Sequence, residues 1–390
     1  MREGSVTVRE VEGRRDRQAF VHLPFELHRG HARWVPPLLF EERALFDPAR
    51  NPAFRTCEVT LALAFLGGAP CGRIVGIVNR RQVAERGVRA ARFGWLECPD
   101  EPAVARALLD HVERWAIERG MERLVGPMGF TDQDPEGLIV EGFEHEPTIA
   151  TYANQPFLGP LVASCGFEKE VDYVVYKVPL GSSVPESHER ISARVLARTD
   201  YRILEFRTRR QLAPHVATII RLMNETFAEL YGYVLLDEGE MKALARRFLP
   251  LLDPRFVKLG LRNGTPIGFL VAMPNIDPGL RKARGRLFPL GFIRVLRAAR
   301  SSRQLDLLVG GVRAADRGRG SDVLGMTALL RAAIAAGFTC LDSHLELESN
   351  QVVRAEMERL GGGVSKRYRI YGRTLGHREA PEVRAPAVLR

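Results

Sequence analysis

Arginine and glycine alternate in one short segment that could hold a phosphorylated ligand. The segment Arg313–Gly320 follows the apolar run Leu305–Val309, which predicts a buried strand, and it precedes apolar residues that recur at helical spacing as far as Gly337. Glycine lets backbone N–H groups approach a ligand, and a helix start adds unpaired N–H groups and the positive end of the dipole. We therefore predict a pyrophosphate site here, with Ser321 and Asp322 at the N-cap. The alternative is a solvated loop.

Ionisable and apolar residues alternate along the next predicted strand, 340–347. Asp342, His344, Glu346 and Glu348 would share one face of that strand, because side chains alternate with a period of two. A histidine two residues from a carboxylate can serve as a general base, since each group tunes the pKa of the other. His344 and Glu346 are therefore our candidate catalytic residues. The alternative is a solvated strand face.

A third candidate region is the stretch 129–155, which is too long and polar for an ordinary connector. Long loops often carry function. Glu141, His145, Tyr152 and Asn154 are placed to meet a substrate where two parts of the chain come together. The alternative is an irregular surface loop.

The elements that would position these residues occur twice. Both halves read as strand, helices, hairpin, strand, turn, helix, strand, helix and final strand, which predicts a duplicated mixed α/β unit. We predict an N-terminal domain at 1–180, a Gly/Ser/Pro-rich linker at 181–187, a C-terminal domain at 188–378 and a tail at 379–390. The corresponding turn of the first half, Cys98–Pro102, is acidic and lacks glycine. Only the second half is therefore predicted to hold a diphosphate.

Composition narrows the class of protein. Five dispersed cysteines form no Cys-x-x-Cys pair and no cluster with histidines, so we predict reduced thiols, no metal and a cytoplasmic location. No apolar run is long enough to span a bilayer, and the first residues show no secretory signal. The formal charge of +10 favours acidic partners, but most of it is arginine spread along the whole chain.

The segment Arg281–Arg303 concentrates that charge. It holds eight cationic residues and no acidic one, with leucine, phenylalanine, isoleucine and valine among them. Such a segment suits the surface of an anionic membrane or the entrance for an acyl chain. The alternative is a helix that packs its apolar face on the core. Nucleic acid is not the expected partner, because no stacking platform or reader motif accompanies the charge.

The strand, loop and helix around Arg317 resemble the coenzyme A loop of the GNAT superfamily of acyl-CoA N-acyltransferases. That pattern is Gln/Arg-x-x-Gly-x-Gly/Ala; Arg317 and Gly320 match it, whereas Asp322 stands where a small residue is expected and could cap the helix or pair with Arg319. The resemblance implies tandem GNAT-like domains and acyl-CoA as co-substrate. It also implies an oxyanion donor near Gly311–Arg313. The implied CoA-binding residues are Val312, Arg313, Arg317, Gly318, Arg319, Gly320 and Asn350.

Nearly the whole chain resembles one subgroup, the bacterial ceramide synthase-like proteins. The resemblance rests on these motifs in order: Trp34-Val-Pro-Pro37, Gly72-Arg-Ile74, Arg92-Phe-Gly-Trp95, Gly126-Pro127, Glu136-Gly-Leu138, Glu141-Gly-Phe143 and Lys366–Tyr371. The subgroup implies an acyltransferase that moves a long-chain fatty acyl group to a primary amine, such as that of a sphingoid base.

Two other functions fit parts of the sequence. Asp322, and Met357 where the family often has a tyrosine acid, suit a non-catalytic GNAT-like module that binds acyl groups or lipid. The basic charge suits a tRNA-dependent aminoacyl transferase, whose binding would fall steeply with salt.

Overall fold

The computed structural model describes residues 5–131, 133–198, 200–249 and 252–376, with the backbone alone at 247 and 248. The predicted tail at 379–390 lies outside these residues. The strands are β1 Thr7–Glu10, β2 Cys57–Leu66, β3 Ala69–Asn79, β4 Ala90–Glu97, β5 Arg123–Gly126, β6 Leu138–Glu141, β7 Glu168–Pro179, β8 Tyr201–Glu205, β9 Val257–Arg262, β10 Thr265–Pro274, β11 Gln304–Val312, β12 Cys340–Asp342, β13 Glu346–Leu347 and β14 Gly363–Thr374. The helices are α1 Gly13–Leu27, α2 Leu39–Leu45, α3 Arg80–Arg86, α4 Pro102–Glu118, α5 Leu158–Ser164, α6 Glu186–Leu196, α7 Arg209–Leu212, α8 Val216–Phe227, α9 Glu238–Phe248, α10 Asp277–Ala283, α11 Gly291–Ser301, α12 Ser321–Ala335 and α13 Gln351–Arg359.

All the strands belong to one mixed sheet, which confirms the predicted α/β class. Its main order is β1-β2-β3-β4-β5-β14-β7-β12-β11-β10-β9-β8, while β6 pairs with β14 and β13 with β7. The long final strand of each half lies beside the other half: β14 pairs with β5, β7 pairs with β12, and the two pair with each other. The order of strands is thus the same when read inward from either edge, as duplication predicts. Each half completes its sheet with a strand of the other, so the boundary at 181–187 stays a prediction.

Each half packs its longest helix on its own part of the sheet. In the first half, Leu108 and Val112 of α4 pack against β3, at positions where β3 has glycine. A Cβ at Gly72 would lie 2.8 Å from Leu108 Cδ1, and one at Gly76 would lie 2.9 Å from Val112 Cγ1. In the second half, α12 is buried along most of its length against β9, β10 and β11. α12 therefore packs on the strands that lead to the candidate site in the second half.

Two local predictions have different outcomes. The hairpin around Asn263-Gly264 is confirmed, because these residues adopt φ values of +48° and +77° and join β9 to β10. The continuous strand at 340–347 is wrong. β12 ends at Asp342, His344 adopts a left-handed φ of +62°, and only Glu346–Leu347 resumes pairing, with β7. The four ionisable residues of that segment therefore do not share one strand face.

Candidate active site

The glycine-rich loop leads into α12 without a side-chain cap. Gly318 and Gly320 have φ values of +70° and +85°, and Gly320 occupies the N-cap position. The predicted cap at Ser321 and Asp322 is wrong, because these are the first two residues of the helix. The Ser321 hydroxyl instead donates to the backbone oxygen of Asp316 at 3.1 Å. Within the described part of the chain, the N–H groups of 321–323 have no acceptor and are available to an anion.

Two arginines of the loop are fixed by backbone oxygens. Arg317 Nε donates to the Val312 oxygen at 3.0 Å, and Arg319 Nε donates to the Ala315 oxygen at 3.1 Å. Both side chains remain exposed, so their charge adds to that of the helix start. Asp322 does not cap the helix, and its Oδ1 atom is buried with no hydrogen-bond partner among the described residues. The site thus combines two cations with one carboxylate at the start of α12.

The strand before the loop has an open edge. Parallel pairing of β11 with β12 covers only 304–306 and 340–342, after which the strands part. The Arg313 N–H donates to the Ile267 oxygen of β10 at 2.8 Å. Because N–H directions alternate along a strand, those of Gly310 and Val312 point away from β10 toward the open edge. Of the predicted oxyanion donors at 311–313, only Val312 faces this edge.

His344 and Glu346 lie where β12 has left β11. The His344 Nε2 atom is 2.9 Å from the Ile149 oxygen, so Nε2 carries the hydrogen and Nδ1 carries the lone pair of a neutral ring. Burial lowers the pKa of His344, although Asp342 opposes the change. Burial alone raises the pKa of Glu346 to about 8. The site therefore has a proton acceptor and a carboxyl group that keeps its proton at neutral pH.

A buried carboxyl cluster closes the base of this opening. Asp277, Asp306 and Asp342 are all at most 2% exposed. Lys366 Nζ donates to Asp342 Oδ2 at 2.9 Å, and Asn275 Nδ2 donates to Asp306 Oδ2 at 2.9 Å. Burial raises the pKa of Asp306 to about 8 and that of Asp277 to about 7. Sequence analysis named Asp342 but missed Asp277 and Asp306, although a charged residue inside the apolar run Leu305–Val309 was a usable signal for Asp306.

The stretch 129–155 reaches the site through different residues from those predicted. The Glu146 backbone oxygen accepts from Lys366 Nζ at 2.9 Å, and the oxygen of Ile149 contacts His344. Asn154 instead fixes β6, since its Oδ1 accepts from the Ile139 N–H at 2.8 Å. Glu141 forms an ion pair with Arg367, whose Nε lies 3.3 Å away. The role of Glu141 and Asn154 as substrate contacts stays a prediction.

The remaining predicted binding residues have structural partners too. Asn350 caps α13, accepting from the Val353 N–H at 3.4 Å, and Arg313 Nε forms an ion pair with Glu225 at 2.9 Å. Met357, where the family often has a tyrosine, is buried in the core beneath α13. No group of three or more potential metal ligands occurs among the described residues. The same residues contain no helix that is both long and apolar enough to cross a membrane.

Two known proteins are similar to this chain over nearly its whole length. No family model matches the chain. The bacterial ceramide synthase of Caulobacter vibrioides (strain NA1000 / CB15N) is 27% identical over 367 residues, which cover 91% of this chain and 94% of that protein. Protein YghO of Escherichia coli (strain K12) is 24% identical over 373 residues, which cover 93% and 94%.

Solved structures decide the fold. A tandem GNAT protein from the clavulanic acid biosynthesis pathway superimposes with a TM-score of 0.54 at 13% identity, covering 95% of this chain and 99% of that one. A GCN5-related N-acetyltransferase from Sphaerobacter thermophilus gives a TM-score of 0.51 at 13% identity, with 95% and 96% covered. This chain has a tandem GNAT fold. The predicted tandem GNAT-like fold and the resemblance to a bacterial ceramide synthase are confirmed.

The two GNAT units differ at the position of the open edge. In the first unit, the Tyr152 hydroxyl accepts a hydrogen bond from the Trp95 N–H at 2.7 Å, so a protein side chain occupies the edge of β4. A Cβ on Gly94 would lie only 2.5 Å from the Met128 oxygen, which shows how closely the next segment approaches. In the second unit, no described side chain accepts from a backbone N–H of 307–312. The second GNAT unit is therefore the one open to a ligand.

Proposed function

We propose that the chain transfers a long-chain fatty acyl group from acyl-CoA to the primary amine of a lipidic acceptor, such as a sphingoid base. The observation that carries the proposal is the uncapped start of α12 beside the open edge of β11. A diphosphate at the helix start and an extended thiol arm along the strand edge together match the shape of acyl-CoA. The ceramide synthase name of a relative over nearly the full length supports the choice of acceptor.

On this proposal, the diphosphate lies against 318–323 with Arg317 and Arg319 beside it. The N–H groups of Gly310 and Val312 face the thioester arm, and one of them stabilises the negative charge that develops on the carbonyl oxygen. Asn350 lies near the arm, as the resemblance implies. Asp322 weakens the binding of the diphosphate, because its carboxylate has no cationic partner.

The same proposal assigns the proton transfers. The neutral amine attacks the thioester carbon and must lose a proton as the C–N bond forms, and His344 Nδ1 carries a lone pair that can accept it. The departing thiolate must gain a proton, and the Glu346 carboxyl holds one below about pH 8. Glu346 would thus take the role of the tyrosine that often acts as the acid in the family, since Met357 at that position cannot donate a proton. Glu141, Tyr152 and Asn154 remain proposed contacts of the acceptor from the first unit.

Calorimetric titration with CoA and palmitoyl-CoA tests the binding step. Arg317→Gln should weaken CoA binding by about tenfold to a hundredfold, because a charge-assisted contact to phosphate contributes ~1.5–3 kcal/mol. The matched control is Arg359→Gln, an exposed arginine on α13. Thiol release from palmitoyl-CoA should require a long-chain amine. Absence of binding by the wild type, or turnover that requires tRNA, would contradict the proposal.

A pH profile tests the proton transfers separately. The rate should depend on neutral His344 at its acidic side and on protonated Glu346 at its alkaline side, which falls near pH 8. Glu346→Gln should lower the maximal rate and remove the alkaline decline, with CoA affinity unchanged. If the alkaline decline persists in Glu346→Gln, another group donates the proton.

A further inference from the structure

Large apolar side chains are exposed together on the element inserted between β10 and β11. Phe288, Leu290, Phe292 and Leu296 are 80%, 60%, 41% and 50% exposed. They make up four of the twelve large exposed apolar residues in the described ranges, yet they fall within nine positions. The rings of Phe288 and Phe292 lie 6.1 Å apart. This surface, the apolar tip, is too concentrated to be a scatter of single exposed residues.

Unpaired cations surround the apolar tip. The segment 281–303 contains eight cationic residues and no acidic one. Arg281 forms an ion pair with Glu146, with Nη2 2.7 Å from Oε2. Six others form no ion pair in the described part of the chain: Lys282, Arg284, Arg286, Arg294, Arg297 and Arg300. The surface therefore offers exposed apolar area and free positive charge at the same place.

The element has a fixed orientation on the protein. α10 and α11 touch closely, since a Cβ on Gly279 would lie 2.6 Å from Val295 Cα. The connecting loop is held by the first unit, where the Leu39 N–H donates to the Gly285 oxygen at 2.9 Å and the Pro37 oxygen lies against Gly285. These contacts fix the position of the apolar tip relative to the rest of the protein.

We propose that the apolar tip and its arginines dock the protein on a membrane that carries anionic lipid. Phenylalanine and leucine would enter the boundary between headgroups and acyl chains, and the arginines would contact headgroup phosphates. A second copy of this chain is a poorer occupant, because a symmetric contact would bring two cationic surfaces together. The proposal goes beyond acyl transfer and does not depend on it.

Docking would also place the membrane beside the candidate active site. Asp277 begins α10 and belongs to the buried carboxyl cluster, while Arg281 on the same helix contacts Glu146. Glu146 in turn contacts Lys366, the partner of Asp342. One short helix therefore connects the docking surface to the base of the open edge.

Sedimentation of the full chain with vesicles tests docking without any catalytic step. Phosphatidylcholine vesicles containing phosphatidylglycerol should bind the wild type, binding should fall as salt rises, and pure phosphatidylcholine should bind far less. Phe288→Ser with Phe292→Ser should lower the partition coefficient about tenfold or more. Each substitution Arg294→Gln, Arg297→Gln or Arg300→Gln should lower it about fivefold.

Matched variants separate the docking surface from general charge and apolarity. Arg198, Arg202 and Arg207 are exposed arginines outside the segment, and their combined change to glutamine should leave vesicle binding intact. Val352→Ser removes an apolar side chain that is 70% exposed on α13 and should also have no effect. Equal loss of binding in these controls would overturn the proposal. So would a dimer in sedimentation velocity that dissociates with Phe288→Ser and Phe292→Ser.

Discussion

Replacing Asp277 by asparagine should stabilise the protein at neutral and alkaline pH. The side chain is 2% exposed, and its Oδ2 atom has no hydrogen-bond partner among the described residues. Burial raises its pKa from an ordinary ~3.9 to about 7, although Arg281 and a hydrogen bond from Asn275 oppose the rise. Folding therefore takes up a proton at this carboxyl between those two pH values, and stability falls as the pH rises through them.

The magnitude follows from the size of the pKa rise. Each pH unit corresponds to ~1.36 kcal/mol, so a rise of about three units costs the folded state ~4 kcal/mol above pH 7. The amide of the substituted side chain carries no charge at any pH and avoids this cost. For a chain of this length, ~1 kcal/mol moves Tm by about 1 °C. Asp277→Asn should thus raise Tm by several degrees at pH 8 and by almost nothing near pH 4.

A buried aspartate of opposite character provides the control. Asp172 is 3% exposed, and hydrogen bonds from Arg369 and Lys169 outweigh burial and lower its pKa. Its ionised form stabilises the protein above the unfolded pKa, and that contribution is lost as the pH falls through the folded pKa. Asp172→Asn should therefore lower Tm at pH 8 and have less effect in acid. Scanning calorimetry of both variants across pH would refute the reasoning if the two substitutions shifted Tm in the same direction at pH 8.

Three further substitutions should have distinct results. Gly320→Ala places a side chain at a left-handed φ of +85°, so Tm should fall by an amount equivalent to ~1–3 kcal/mol and calorimetric CoA affinity should fall with it. Tyr152→Phe leaves the Trp95 N–H without its acceptor, which should cost ~1–3 kcal/mol in denaturant titration. Lys366→Met leaves Asp342 buried without its cation and should destabilise the fold by ~3–5 kcal/mol at pH 8.

Local features of the fold were predictable because local residues determine them. The apolar run before the loop, the helix after it and the turn at Asn263-Gly264 each depend on neighbours in the chain. The segment 340–347 misled because alternation predicts a continuous strand, whereas His344 adopts a left-handed conformation that no pattern indicated. The His344 ring contacts the distant Ile149 oxygen, and its backbone N–H donates to Asp342 in a local turn. The alternating pattern is present in the sequence, but the contact with Ile149 favours a break in the strand at His344.

The exchange of final strands was beyond sequence reasoning for a different reason. β7 and β14 come from similar sequences, and both lie in the middle of the sheet. A duplicated chain therefore offers each strand two equivalent neighbours, and the sequence alone does not choose between them. The same ambiguity hid the carboxyl cluster, because Asp342 meets Lys366 only when β14 lies at the centre of the sheet.

The location of the costly carboxyl group bears on its purpose. Asp277 destabilises the folded state at neutral pH, and it lies on the inserted helix between the proposed docking surface and the open edge of β11. Sites that bind or react often keep groups that lower stability, whereas a purely structural position gains from losing them. If Asp277→Asn raises Tm and lowers acyl transfer to a lipid amine, the carboxyl acts on the reaction. If Tm rises while turnover is unchanged, the group is only an unfavourable buried charge, and the insertion contributes through its surface alone.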